Sequence, residues 1–209
     1  MLRKIYGVKV GMTQLFDAER KLIPVTAVRV TGWFVTQVKT QGADGYDALQ
    51  VGCVRNRLSG VEFQGEWLFK KKRSFRFVKE IKGIAEGIEV GKPVGIAEFG
   101  ASEGDEITVA GTSRGLGFQG CIKRWGFSRG PMSHGSGFHR SPGSMGGPCS
   151  LGGIQKGKKL PGHTGAERIT VRGLRVIRID SEQNCIFIKG AVPGKSGSLV
   201  EIAKQGPRS

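Results

Sequence analysis

Acidic residues are scarce in this chain, and over one long stretch they are missing. Of its 209 residues, 17 are Asp or Glu against 33 Lys or Arg, a formal net charge of +16. The sixty residues from Ile107 to Ala166 hold no carboxylate, where an even spread would place about five. A surplus of this sign points to a polyanionic partner, with nucleic acid ahead of an acidic membrane surface. Paired cysteines are also lacking. Cys53, Cys121, Cys149 and Cys185 are far apart, with no Cys-x-x-Cys, which fits a reduced compartment and structural thiols. No apolar run reaches the ~18 residues of a membrane-spanning helix. Met1-Leu2-Arg3-Lys4 leads into a mixed stretch without the apolar centre of a signal peptide. The expectation is a soluble, intracellular protein with no membrane partner; a removed organelle leader would leave no trace.

A complete phosphate-binding loop is missing too. That motif needs Gly, four residues, then Gly-Lys-Ser/Thr, followed by a helix whose N-terminus faces the phosphate. "GAVPGKS" (190–196) is one residue short, and Leu199-Val200-Glu201-Ile202 beyond it reads as a strand. "GGIQKGKK" (152–159) has the spacing but carries Lys159 in place of Ser or Thr, and Pro161 opposes the helix. Gly190–Gly197 is therefore read as a loop joining two antiparallel strands. His134, His139 and His163 with Cys121 and Cys149 lack the close ligand pairs of structural zinc, so no metal is expected. Ser133, Ser136 or Cys149 could act as a nucleophile beside one of these histidines. Nearby sequence offers no carboxylate to orient the imidazole, so no catalytic residue and no cofactor or small-molecule substrate is assigned.

What is present falls into three territories. The ends are rich in short β-type runs: "KLIPVTAVRV" (21–30), "WFVTQVKT" (33–40), "YDALQVGC" (46–53), "RITVRGLRVIRID" (168–180), "NCIFIKG" (184–190) and "SLVEIA" (198–203). "PVGIAEF" (93–99) and "DEITVAG" (105–111) add two central ones, about eight in all, the pattern of a small barrel or sandwich. "WLFKKKRSFRFVKEIKGI" (67–84) holds seven Lys/Arg against one Glu, interleaved with Trp67, Phe69, Phe75 and Phe77. Lys70, Lys71, Lys72, Arg73 and Arg76 could meet phosphates while the rings stack on bases. Equally, they could form a solvated face whose rings pack inward.

The third territory is the acid-free stretch. It carries Arg114, Lys123, Arg124, Arg129, Arg140, Lys156, Lys158 and Lys159, all three histidines and sixteen of the 35 glycines. Its apolar residues keep no period of 2 or 3.6, so it cannot bury a core of its own. A loop this long inside a domain is functional as a rule. Lacking carboxylates, it can lie against phosphates, and dense glycine lets backbone N–H groups approach them. Trp125 and Phe127 read either as anchors or as stacking rings.

These residues carry a resemblance. "GTSRGLGFQGCIKRWGFSRGPMSHGS", "HRSPGSMG" and "KGKKLPGHTGAERITV" are similar to the RNA-embedding extension of the universal large-subunit ribosomal protein three family, bacterial or organellar type. "GVKVGMTQLF", "LIPVTAVRV", "VTQVKTQGADGYDALQVG" and "FIKGAVPGKSGS" resemble the same family, in collinear order. The resemblance implies a mainly β fold: a six-stranded barrel built from both chain ends, with a long irregular extension and a short mixed insert. The corresponding divisions are 1–59 and 92–111 for the N-terminal and central barrel parts, 60–91 for the basic insert, 112–165 for the extension and 166–209 for the C-terminal barrel part.

It further implies a structural role in the large subunit: early rRNA binding during assembly, and support of the RNA around the peptidyl-transferase centre. The partners would be large-subunit rRNA and neighbouring proteins, fourteen and nineteen in bacterial relatives. The location would be the cytoplasmic ribosome or an organelle's. Arg114, Lys123, Arg124, Arg129, Arg140, Lys156, Lys158 and Lys159, with His134, His139 and His163, would contact RNA. Trp125 would anchor the base of the extension, and Gly146, Gly147, Pro148, Cys149 and Ser150 would lie near its tip. Leu116 stands where relatives commonly carry a basic residue, and Cys149 where many bacterial members carry a methylated glutamine. Residues 56–74 depart from the usual bacterial pattern. The competing reading is an RNA-modifying or RNA-remodelling enzyme that grips substrate with the basic arm.

Overall fold

A computed structural model describes residues 2–17, 19–58, 60–82, 88–147 and 152–204. The strands are β1 (Lys4–Phe16), β2 (Leu22–Arg29), β3 (Trp33–Lys39), β4 (Ala48–Val54), β5 (Phe75–Lys82), β6 (Glu106–Thr112), β7 (Gly117–Gln119), β8 (Gly162–Thr164), β9 (Arg168–Asp180), β10 (Cys185–Lys189) and β11 (Leu199–Lys204). Between them lie single helical turns: α1 (Gln41–Asp44), α2 (Glu66–Phe69), α3 (Lys71–Ser74), α4 (Ile96–Phe99) and α5 (Cys121–Trp125). The chain divides into two compact units, 1–112 with 168–209, and 113–167.

In the first unit, six strands close into an antiparallel barrel in the order β1-β11-β6-β9-β10-β2, with β1 also pairing β2. This is the six-stranded barrel the resemblance implied. Its interior is made by alternate residues of each strand, Ile5, Val28, Ile107, Val109, Val176, Ile186, Ile188, Val200 and Ile202, all essentially without exposed surface. Each such side chain contributes about 1.5–3 kcal/mol by leaving water, so the β-branched runs at the two chain ends stabilise one another across the closed sheet. Closure also leaves the barrel no unpaired edge.

Two expectations need correction. Residues 33–54, expected in the barrel with the rest of 1–59, instead form a separate sheet, in which β3 and β4 pair with β5 from the basic insert. "PVGIAEF" is not a strand: Pro93 makes one isolated bridge to Phe34, and residues 96–99 turn into α4. The cause is local capping, because the Glu98 carboxylate accepts the Gly95 N–H at 2.7 Å and Gly100, in the left-handed region, closes the turn. Only β6 of residues 92–111 therefore enters the barrel. Between β3 and β4, "QGADG" forms the helical turn α1, closed by left-handed Gly45.

The loop 190–197 does connect antiparallel strands, but β10 and β11 are not neighbours, so it crosses the barrel end past β2 and β1. Both of those strands fasten it. Thr26 Oγ1 donates to Gly190 O at 2.6 Å, and Lys9, only 9% exposed, donates its ammonium to Val192 O at 2.7 Å and Gly194 O at 3.0 Å. Burial holds the Lys9 pKa below its ordinary value. A phosphate loop turns its N–H groups inward to an anion, whereas this one turns two carbonyls inward to a cation.

Candidate nucleic-acid interface

The basic insert resolves into two layers. Trp67 and Phe75 are buried with Val54, and Trp67 meets Phe34, Phe63 and Phe75 edge-on at centroid distances of 6.3, 5.8 and 6.3 Å. These rings are a small core beside β3–β5, which is the inward-packing alternative. The cations Lys70, Lys72, Arg73 and Arg76 are exposed, and Lys71, half-buried, donates to Gln50 Oε1 at 2.9 Å. Phe69, 91% exposed, is the one ring of the run left open for stacking, while Phe77 is covered by the Arg76 guanidinium 4.9 Å from its centroid.

The unit 113–167 is built differently. Among its described residues only Cys121 is buried. The two ends are held by backbone: Ser113 N–H donates to Glu167 O at 2.8 Å, Leu116 N–H to Thr164 O at 2.9 Å, and β7 pairs with β8. Gly165 belongs to this closure. It sits at φ +77, and a Cβ there would run into the Arg114 carbonyl oxygen, so no other residue fits without moving the backbone.

Above the closure, the turn α5 ends at left-handed Gly126 and places three side chains against the returning strand. The Leu160 carbonyl accepts both Arg124 Nη1 and Trp125 Nε1 at 2.9 Å, and the Cys121 thiol points at Lys159 O, 3.9 Å away. The Arg124 guanidinium lies 4.9 Å and the Lys159 ammonium 5.7 Å from the Trp125 ring centre. Such cation–ring contacts contribute about 0.5–1 kcal/mol each where exposed. Close packing at Gly162, whose Cβ would fall 2.5 Å from Arg124 Nη1, holds the guanidinium in place. The Trp125 N–H is thus tied to the protein with two cations near its exposed ring, and Arg124 spends part of its donor capacity on the protein.

Farther along, Gly130 N–H donates to His139 O at 2.7 Å and Phe138 packs over Gly130. His134 and His139 both take positive φ, 57 and 37, giving a tight loop with the imidazoles exposed. Lys158 donates to Ser144 O at 2.6 Å. Arg114, Lys123, Arg129, Arg140, Lys156, Lys159 and His163 are exposed, as are Gly146 and Gly147; Pro148, Cys149 and Ser150 lie outside the described residues. Among the described residues, no three potential metal ligands come together. The cations are therefore spread over the whole unit rather than gathered into a pocket, a geometry suited to many phosphates and to no single small ligand.

Residues 89–185, from just before α4 to the start of β10, match the family model of ribosomal protein L3. Over that span the chain is similar to the ribosomal protein L3 family. Members of that family are structural, rRNA-binding proteins of the large ribosomal subunit that serve translation. Among the described residues no helix is long and apolar enough to cross a membrane.

Two features of the first unit were not legible beforehand. Lys9 as the loop fastener had no local signal, since its acceptors lie 183 and 185 positions away. A cleft of about 850 Å³ between the barrel and the second sheet, lined by Val10, Phe34, Phe63, Arg29 and Arg76 among others, depends on how the two sheets pack.

Proposed function

We propose that the unit 113–167 is the part of the chain that large-subunit rRNA folds around, binding early in assembly and supporting the RNA near the peptidyl-transferase centre. Arg114, Lys123, Arg129, Arg140, Lys156 and Lys159 meet phosphates, with His134, His139 and His163 as further RNA contacts. Gly146 and Gly147 lie toward the inner tip, and the exposed cations of 70–76 add a secondary contact. The first unit faces neighbouring large-subunit proteins, the counterparts of fourteen and nineteen. One observation carries this reading: an acid-free segment whose described residues bury a single side chain and whose backbone glycines and cations face outward. Such a segment gains little from its own folding, so its order must be supplied by a polyanion.

The test is a chain lacking residues 120–160, expressed with a tag beside the full-length chain. The full-length chain is expected to sediment with large-subunit rRNA through a high-salt wash. The deleted chain is expected to keep the barrel's far-ultraviolet spectrum and cooperative melt but to stay in the light fractions. Normal incorporation of the deleted chain would refute the reading.

A further inference from the structure

Strand β9 carries four arginines, Arg168, Arg172, Arg175 and Arg178, at spacings of four, three and three. In an unbroken strand, successive side chains alternate faces, so Arg175 would point into the barrel while the other three pointed out. Two β-bulges prevent this. Between the pairs Val109↔Val171 and Ile107↔Leu174, one residue of β6 faces both Arg172 and Gly173, with Gly173 at φ +69. Between Ile188↔Val176 and Phe187↔Arg178, the extra residue is Ile177. Each bulge shifts the alternation by one. The inward positions become Val171, Leu174, Val176 and Ile179, opposite Val109, Ile107, Ile188 and Ile186, none of which has exposed surface. All four arginines are exposed.

Only one of them is plainly committed to the protein. Arg168 Nη2 pairs with Glu201 Oε2 at 2.7 Å, and Arg175 stands opposite Glu106. Among the described residues, Arg172 and Arg178 have no ion pair. Lys189, exposed on neighbouring β10, extends the same basic wall. Phe187, half-buried on β10 directly opposite Arg178, puts a single ring beside the last arginine, and the rest of the face offers charge. Across each bulge three residues of β9 span two of the neighbouring strand, so at about 3.4 Å per residue Arg172, Arg175 and Arg178 stand roughly 7 Å apart.

We propose that the outer face of β9 is a second RNA-binding surface, a ladder of Arg172, Arg175 and Arg178 that takes the phosphate backbone of an RNA duplex independently of the unit 113–167. Guanidinium forks suit phosphate oxygens, and a row of cations with a single half-buried ring suits the backbone of paired RNA better than splayed bases. This rests on the reading of the chain as an rRNA-binding ribosomal protein.

The test compares the full-length chain with the triple variant Arg172→Gln, Arg175→Gln, Arg178→Gln. Binding to purified large-subunit rRNA and to a 20-base-pair RNA duplex is measured across salt concentrations. Each lost phosphate contact should lower the slope of log affinity against log salt by about 0.9, so the triple variant should lose between two and three, with at least a tenfold weaker affinity for the duplex. The matching Arg→Lys triple keeps the charge and should keep the slope, which separates lost phosphate contact from a damaged fold. An unchanged slope in the Gln variant, with wild type still binding rRNA, would overturn the ladder and leave the ribosomal reading intact. Wild type failing to bind rRNA would overturn both. Retained RNA affinity with loss of a neighbouring acidic protein would assign the wall to that protein and overturn the proposal.

Discussion

Ile202 and Trp125 mark the difference between the two units. Ile202 has no exposed surface and is surrounded by side chains from other barrel strands, so its order follows from water leaving apolar area. Trp125 is 42% exposed and is held by one hydrogen bond to Leu160 and by two cations over its ring. The barrel unit is thus stable through its own interior. The unit 113–167 is pre-shaped by glycine turns and backbone bonds, and it leaves its cations facing outward. Where acids occur in the barrel unit they offset nearby cations: Glu201 lies between Arg168 and Lys4, and Glu80 between Lys39 and Tyr46. From residue 107 to 166 no acid is available to do so. The first unit balances part of its charge within the protein, with 16 acids against 25 Lys or Arg, whereas the other has one acid against eight and leaves the balancing to a partner.

The largest effect that would break this comparison is on global stability. Ile202→Ala removes buried methyl groups and should cost about 2–5 kcal/mol, read as a fall in the urea midpoint. Trp125→Ala should leave that midpoint within about 0.5 kcal/mol, because its contacts lie in a unit that adds almost no buried apolar area. Equal shifts for the two variants would mean that the two units unfold together, and the contrast would fail.

How far the sequence carried these conclusions varies by element. β9 was legible to the residue, 168–180, because β-branched residues fill it between two sharp turn signals. The acid-free segment was legible as a whole, since absence of charge needs no three-dimensional information. α4 was not, because "GIAEF" reads as a strand until Glu98 is seen to cap Gly95. The separate β3–β4–β5 sheet was hidden for another reason: which strands pair is decided by register over the whole fold, not by any strand's composition. The arginine face of β9 was hidden behind the two bulges, which contradict the simple alternation. Trp125 reads from the sequence as either anchor or stacking ring, and only the fold shows that its N–H donates to the Leu160 carbonyl.

A middle-sized effect concerns acid. Burial works to raise the Glu201 pKa, but hydrogen bonds and charge from Arg168 and Lys4 outweigh it and hold it below the ordinary value. Asp105 is held low chiefly by the Ser102 N–H and then by Lys204, and Glu80 by Lys39 and Tyr46. A carboxylate depressed in the folded state contributes stability above its unfolded pKa, near 4, and loses it as pH falls through the folded value. Barrel stability should therefore decline below about pH 5, and Glu201→Gln should flatten that decline. Hydrogen exchange measured on the same samples should show no matching loss among residues 114–166, which hold no carboxylate. A parallel loss there would show that the segment draws its order from the barrel unit.

The smallest effect sharpens the contrast at a single atom. Thr164 Oγ1 is buried without a hydrogen-bond partner among the described residues, on the strand that closes the unit 113–167. Leaving a hydroxyl unpaired costs about 1–3 kcal/mol relative to a satisfied one, whereas a methyl group of similar shape has nothing to satisfy. Thr164→Val keeps the β-branched shape that suits β8. It should hold the closure as firmly or up to about 1 kcal/mol more firmly, read as slower exchange of the Leu116 N–H that donates to the Thr164 carbonyl. Faster exchange would mean that the hydroxyl has a partner within the free chain. If the variant instead tightens the free chain and weakens its hold on rRNA, the partner is the RNA, and even the closure of this unit is completed from outside the protein.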